Sequence, residues 1–153
     1  MERPERIFIT GFMGSDRMGL GRKLAEEYGY QLIVLDDEIE KRDGRTIGRI
    51  CRLMGEHEYR NQEYEHLQEL KDRDGIVVVC GDGVVFDDMN REILEGQKTV
   101  IADMDKSVDW LWERAKTDES IPYAFMTDPD DKRRYEKFCQ LYLARRHMYR
   151  QFA

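Results

Sequence analysis

Four short runs of aliphatic, largely β-branched residues punctuate this chain and constrain its fold more than any other feature: Arg6–Thr10 (RIFIT), Gln31–Leu35 (QLIVL), Ile76–Cys80 (IVVVC) and Lys98–Ala102 (KTVIA). Each is bounded by glycine or charged residues. Continuous apolar runs of this length predict strands buried on both faces. Between them the apolar period changes to that of a helix. Leu20, Leu24 and Tyr28 repeat at i, i+4, i+8, and Tyr64, Leu67 and Leu70 recur every three residues. Val108, Leu111, Trp112 and Ala115 form a further stripe that begins at Ser107, a suitable N-cap. Strands alternating with helices predict an α/β fold, a three-layer α/β/α arrangement around a central parallel sheet, with ligands bound at the carboxyl ends of the strands.

The 153 residues suit one domain over 1–153, since a chain of this size buries roughly 70% of its unfolded surface without staples. Cys51, Cys80 and Cys139 form no CxxC pair and leave an odd cysteine, which fits a reducing compartment. A net charge of −7 speaks against general affinity for nucleic acid or membranes. No run approaches the ~18 apolar residues of a membrane helix, and the start, Met1 to Arg6, leads into the first strand without an apolar signal region. The expected location is cytoplasmic.

His57, His66 and His147 are scattered without ligand spacing, so no metal site is predicted. His147, beside Arg146, is expected at the surface, and Cys51 as a small buried hydrophobe. Lys132, Arg133 and Arg134 follow Asp128, Asp130 and Asp131 and read as a solvated face. Trp110 and Trp112 lie on different faces of one helix, so at most one reaches the core. From Lys116 to Lys132 the periodicity fails around Pro122 and Pro129, the pattern of a lid over about 116–132. Tyr135, Phe138, Tyr142 and Met148 predict a closing helix.

Gly11 to Gly19 (GFMGSDRMG) follows the first strand and opens the first helix, where a loop that cradles phosphate would sit. Such a loop reads Gly, four residues, then Gly-Lys-Ser/Thr. Gly11 is present, but Asp16, Arg17 and Met18 replace the last three. By itself the segment reads better as a tight strand-to-helix turn than as a phosphate loop.

In order along the chain come GFMGS at 11–15, GRKLAEEYGY at 21–30, LDDEIEKRDGRTI at 35–47, GEHEYRNQE at 55–63, a Gly-x-Gly at 81–83 and Arg145 four residues before Tyr149. On these motifs the sequence from Ile7 to Ala153 resembles the shikimate kinases, small P-loop enzymes that phosphorylate the 3-hydroxyl of shikimate with ATP and magnesium. The resemblance implies a P-loop kinase-like fold with a lid. It also implies that Asp36 holds the shikimate hydroxyls and assists the attacking one, and that Arg60 and Arg145 grip the carboxylate. Planar guanidinium groups suit bidentate carboxylate binding. Gly81 and Gly83 would let backbone approach the ligand. Singly, Asp36 also reads as a helix N-cap and the two arginines as solvated charges.

The nucleotide half departs from the family. Of the loop, Gly11, Gly14, Ser15 and Arg17 remain as cofactor-binding candidates. Arg17 replaces a point charge by a bulkier planar group. Asp16 sets a carboxylate where phosphates lie, and two like charges ~4 Å apart repel by about 4 kcal/mol at an effective dielectric near 20. Met18 offers magnesium no hard oxygen. Gly19 replaces the second hydroxyl residue, Val34 the other acidic residue of the family, Asp82 the middle of a Gly-Gly-Gly run, and Ile121 the lid arginine. Phosphoryl transfer rests on positioning and on neutralising phosphate charge.

The expectation is therefore a shikimate kinase-like protein that binds shikimate or a similar small hydroxy acid and has lost ATP and magnesium chemistry. Its role would be binding or regulation in aromatic amino-acid metabolism, with a pathway enzyme as partner and no cofactor. The alternatives are an active kinase using ATP and magnesium through Arg17, with Lys116 as lid cation, and an interaction domain with an idle site.

Overall fold

The computed structural model describes residues 3–152, so Met1, Glu2 and Ala153, which bound the expected domain, lie outside the described residues. In chain order the elements are β1 (Arg6–Thr10), α1 (Arg17–Tyr28), β2 (Gln31–Val34), α2 (Leu35–Asp43), α3 (Ile47–Met54), α4 (Glu56–Leu70), β3 (Ile76–Val79), a 3-10 turn (Asp82–Phe86), α5 (Asp88–Glu95), β4 (Lys98–Ile101), α6 (Val108–Ala115), a second 3-10 turn (Ala124–Thr127) and α7 (Asp131–Arg150). The sheet order is β2-β3-β1-β4, and every pair is parallel, with Phe8 beside Val78 and Thr99. All four apolar runs thus form strands.

Successive strand residues face opposite ways, and the core divides accordingly. Ile7, Ile9 and Val77 meet Ala25, Leu20 and Leu24 under α1. Phe8, Ile76 and Val78 join the larger cluster with Leu67 of α4, Leu94 of α5, Leu111 of α6 and Phe138 of α7. Helices therefore cover both faces of the sheet.

Local chemistry sets the ends of several helices. Ser107 Oγ accepts the Trp110 N–H at 3.1 Å, as an N-cap should. Asp130 caps α7 through the Lys132 N–H at 2.9 Å. Trp112 is buried and Trp110 is not. Arg133 lies 3.4 Å from both Asp128 and Asp130, and Arg134 lies 2.6 Å from Asp131, so the two arginines of the basic cluster pair with its acidic neighbours. The segment expected as a lid is irregular from 117 to 130 apart from its 3-10 turn. Among the described residues no helix is long and apolar enough to cross a membrane.

Candidate functional site

At the carboxyl end of β1 the chain turns into the loop of residues 11–16. Phe12 and Met13 are buried, and the Phe12 ring meets Phe138 at 5.1 Å and Tyr142 at 5.3 Å, so α7 anchors the turn from beneath. Gly14 has φ +87°, and a Cβ there would lie 2.1 Å from the Leu111 carbonyl oxygen, so both backbone conformation and space demand glycine. Ser15 Oγ donates to the Phe12 carbonyl at 2.6 Å.

One amide of the loop and one in the first turn of α1 have carboxylate partners. Asp16 N–H donates to Asp103 Oδ2 at 2.7 Å, and Gly19 N–H donates to Asp16 Oδ1 at 2.9 Å. Asp103 itself stands at φ +56°, an uncommon conformation for a residue with a Cβ. Arg114 closes the arrangement by donating from Nε to the Gly14 carbonyl at 2.6 Å and placing Nη2 3.7 Å from Asp16 Oδ1. A helix N-terminus with free N–H groups attracts phosphate, and at this one the Gly19 N–H already faces the Asp16 carboxylate. Met18 and Val34 line the adjacent cleft without an oxygen for a cation.

Arg17 leaves α1 toward the sheet, with Nη1 3.4 Å from the Cys80 carbonyl. The alternative lid cation, Lys116, is instead bound to Glu113 at 2.7 Å on the far end of α6; the cation that reaches the loop is Arg114.

The residues expected on the acceptor side come from α2, α4, the turn after β3, and α7. The N-cap of α2 is Val34, which places Asp36 in the first helical turn rather than at the cap. Its Oδ1 accepts the Tyr59 hydroxyl at 2.6 Å. Burial raises the Asp36 pKa above the ordinary carboxyl value, Asp82 adds to the rise, and Tyr59, Arg17 and Arg60 oppose it. Arg60 is buried, and its Nη1 donates to Glu63 Oε1 at 2.8 Å. Glu63 is fully buried with Oε2 unpartnered, and desolvation pushes its carboxyl up to about 8 against the pull of Arg60.

Gly83 gives Arg60 its place, because a Cβ there would come 2.0 Å from Nη2. The Gly81 carbonyl accepts from Thr10 Oγ at 2.7 Å, tying this turn to β1. Phe86 sits between the two arginines, with the Arg145 guanidinium 4.1 Å and that of Arg60 5.6 Å from its ring centre. Arg145 has no ion-pair partner among the described residues. The structure thus gathers Asp36, Arg17, Arg60, Gly81, Gly83 and Arg145 at one end of the sheet. His147 is exposed, as expected, while Cys51 is half-buried and lines the cleft.

Between α2, α3 and the 117–130 segment runs a cleft of about 1020 Å³, lined by Met18, Asp36, Cys51, Ile121 and Tyr123 among others. Sequence patterning did not single out Tyr59, Glu63, Phe86, Asp103, Arg114 or Tyr123. The Tyr64, Leu67, Leu70 stripe points along the apolar edge of α4, but Tyr59, Arg60, Glu63 and His66 are buried as well. Four buried residues at i, i+1, i+4 and i+7 trace a helix face, a spacing the sequence contains but whose polarity disguises it.

A parallel sheet of this order, a glycine-containing turn opening α1 and a cleft at the strand ends define a P-loop kinase-like α/β protein. Within that class the chain belongs to the shikimate kinase family, whose sequence model matches residues 13–153. A shikimate kinase of Aromatoleum aromaticum is 31% identical over 147 residues, covering 96% of this chain and 81% of the relative. A bifunctional shikimate kinase/3-dehydroquinate synthase of Thermotoga maritima is 42% identical over 113 residues, 74% of this chain; the match spans only 23% of that longer protein. Among solved structures, shikimate kinase from Acinetobacter baumannii in complex with shikimate superposes with a TM-score of 0.86 at 29% identity, covering 99% of this chain and 82% of the other.

Proposed function

We propose that this member of the family binds shikimate or a closely similar hydroxy acid through Asp36, Arg60 and Arg145, and that its nucleotide side is closed. The acceptor half is supported by the convergence of those residues with Gly81 and Gly83, and by the relative whose structure holds shikimate. The single observation that carries the second half is the pair of hydrogen bonds from Asp16 N–H to Asp103 and from Gly19 N–H to Asp16. A phosphate entering there must displace two carboxylates from amides it would itself need. Such a protein acts as a ligand-binding or regulatory module in aromatic amino-acid metabolism, in the cytoplasm and with a pathway enzyme as partner.

The relatives speak for a second reading, and by their names they back it better than the first: ATP-dependent phosphorylation of shikimate. Its local support is Arg17, whose charge favours ionisation of Asp36 and which alone keeps the cation of a phosphate loop. Separate calorimetric titrations with shikimate and with Mg·ATP, together with an assay for ADP formation at high protein concentration, decide between the two. Shikimate binding without nucleotide binding supports the first reading. Turnover that Asp36→Ala abolishes establishes the second, and absence of shikimate binding overturns both.

A further inference from the structure

Resting on the acceptor-site reading, we infer that Asp82 and Tyr123 are specificity-determining residues: they form a latch that occupies Arg60 in place of a ligand carboxylate. Arg60 Nη2 donates to the Tyr123 hydroxyl at 2.9 Å, and that hydroxyl lies 3.0 Å and 3.2 Å from the two carboxylate oxygens of Asp82. A hydroxyl has one proton to give. Tyr123 accepts from the guanidinium and donates to Asp82, so the relay is complete and polarised from cation to anion.

Each member is held from a different element. Arg60 belongs to α4, with Nη1 engaged by Glu63 and Glu56 3.7 Å from Nη2. Asp82 is buried in the turn after β3, where the Tyr149 hydroxyl of α7 donates to its carbonyl. Tyr123 comes from the 117–130 segment. Its hydroxyl is deep enough that burial, reinforced by Asp82, raises its pKa well above the ordinary phenol value, so it remains a donor across the working pH range.

The cleft wall gives independent support. Its described lining includes Asp36, Asp37, Glu40, Glu56 and Glu119, with Arg52 as the sole lysine or arginine among them, while Arg60 and Arg145 are not part of that lining. An anionic ligand therefore meets an acidic surface until Tyr123 moves. Moving it exposes Arg60 and releases the segment that carries it. Binding of a carboxylate and opening of the segment are one event, and a neutral ligand with the same ring hydroxyls does not drive it.

The test titrates shikimate and its neutral primary amide into the unmodified chain, Tyr123→Phe and Asp82→Asn. Loss of a hydrogen bond that competes for a charged group should tighten shikimate by about tenfold in each variant, while affinity for the amide stays the same. A parallel hydrogen-exchange measurement on the unmodified chain should show faster exchange of the Ala124–Thr127 amides when shikimate, but not the amide, is bound. Unchanged or weaker shikimate binding in both variants overturns the latch and leaves the acceptor reading standing. Failure of both compounds to bind any of the three proteins overturns the acceptor reading, and the latch with it.

Discussion

Asp103, in the turn after β4, holds the backbone N–H of Asp16 at 2.7 Å across the mouth of the first βα turn. Asp16 in turn caps α1 through Gly19. On the reading proposed above, the two carboxylates occupy two of the donors a phosphate would use. Replacing both by glycine should reopen it, since glycine suits the positive φ of residue 103 and is tolerated at an N-cap. We expect D16G/D103G to bind ADP about ten- to hundredfold more tightly than the unmodified chain, the equivalent of one charge-assisted hydrogen bond recovered. Calorimetry reads this directly, and equal affinities would show that the carboxylates are not what closes the loop.

Arg145 tests the proposed acceptor site with the least structural disturbance. Its guanidinium rests on Phe86 and carries no ion pair among the described residues, so removing it strands no buried charge. Arg145→Ala should weaken shikimate binding by about 1.5–3 kcal/mol, with the urea midpoint nearly unchanged. Arg60→Ala should lose binding to a similar degree but also unfold more readily, because the buried Glu63 carboxyl then loses its hydrogen bond from Arg60 Nη1.

Phe138 links the core to the loop. Its ring is fully buried between Phe12 at 5.1 Å and Trp112 at 5.2 Å. Phe138→Ala should cost about 3–5 kcal/mol of stability, measured by denaturant unfolding. A cost below about 1 kcal/mol would mean that α7 repacks freely beneath the loop.

Glu63 gives stability a defined pH dependence. Burial disfavours the charge and pushes its folded-state carboxyl up to about 8, whereas the unfolded chain loses that proton near the ordinary glutamate value of 4.5. The folded state thus holds the proton over an interval in which the unfolded state does not, and stability falls as pH rises through that interval. Asp36, also raised, acts in the same direction. Glu63→Gln, which resembles the protonated acid, should match the unmodified chain at pH 5 and exceed it by a margin that grows toward pH 8. Parallel urea midpoints for the two proteins would sink this account by staying parallel.

Much of the fold is legible in the sequence because its determinants are local. Runs such as IVVVC can be satisfied only by a strand covered on both faces, and Ser107 announces the start of α6 by its own side chain. The loop glycines, Asp36, Arg60 and Arg145 stand out through spacing and family resemblance, and the structure places them at one end of the sheet. What those residues touch is another matter. Tyr123 reaches Asp82 across 41 positions, and Asp103 reaches Asp16 across 87. No periodicity links such pairs, since nothing in a strand or helix repeat encodes which distant side chain will fill a hydrogen bond. The sequence by itself determined a parallel α/β sheet and the set of charged residues available at its edge. The tertiary structure alone decided that Asp103 and Asp16 accept the Asp16 and Gly19 amides at the exposed mouth of the loop, because the fold brings them within reach, and that Asp82, through Tyr123, occupies Arg60, where buried donors and acceptors must find partners.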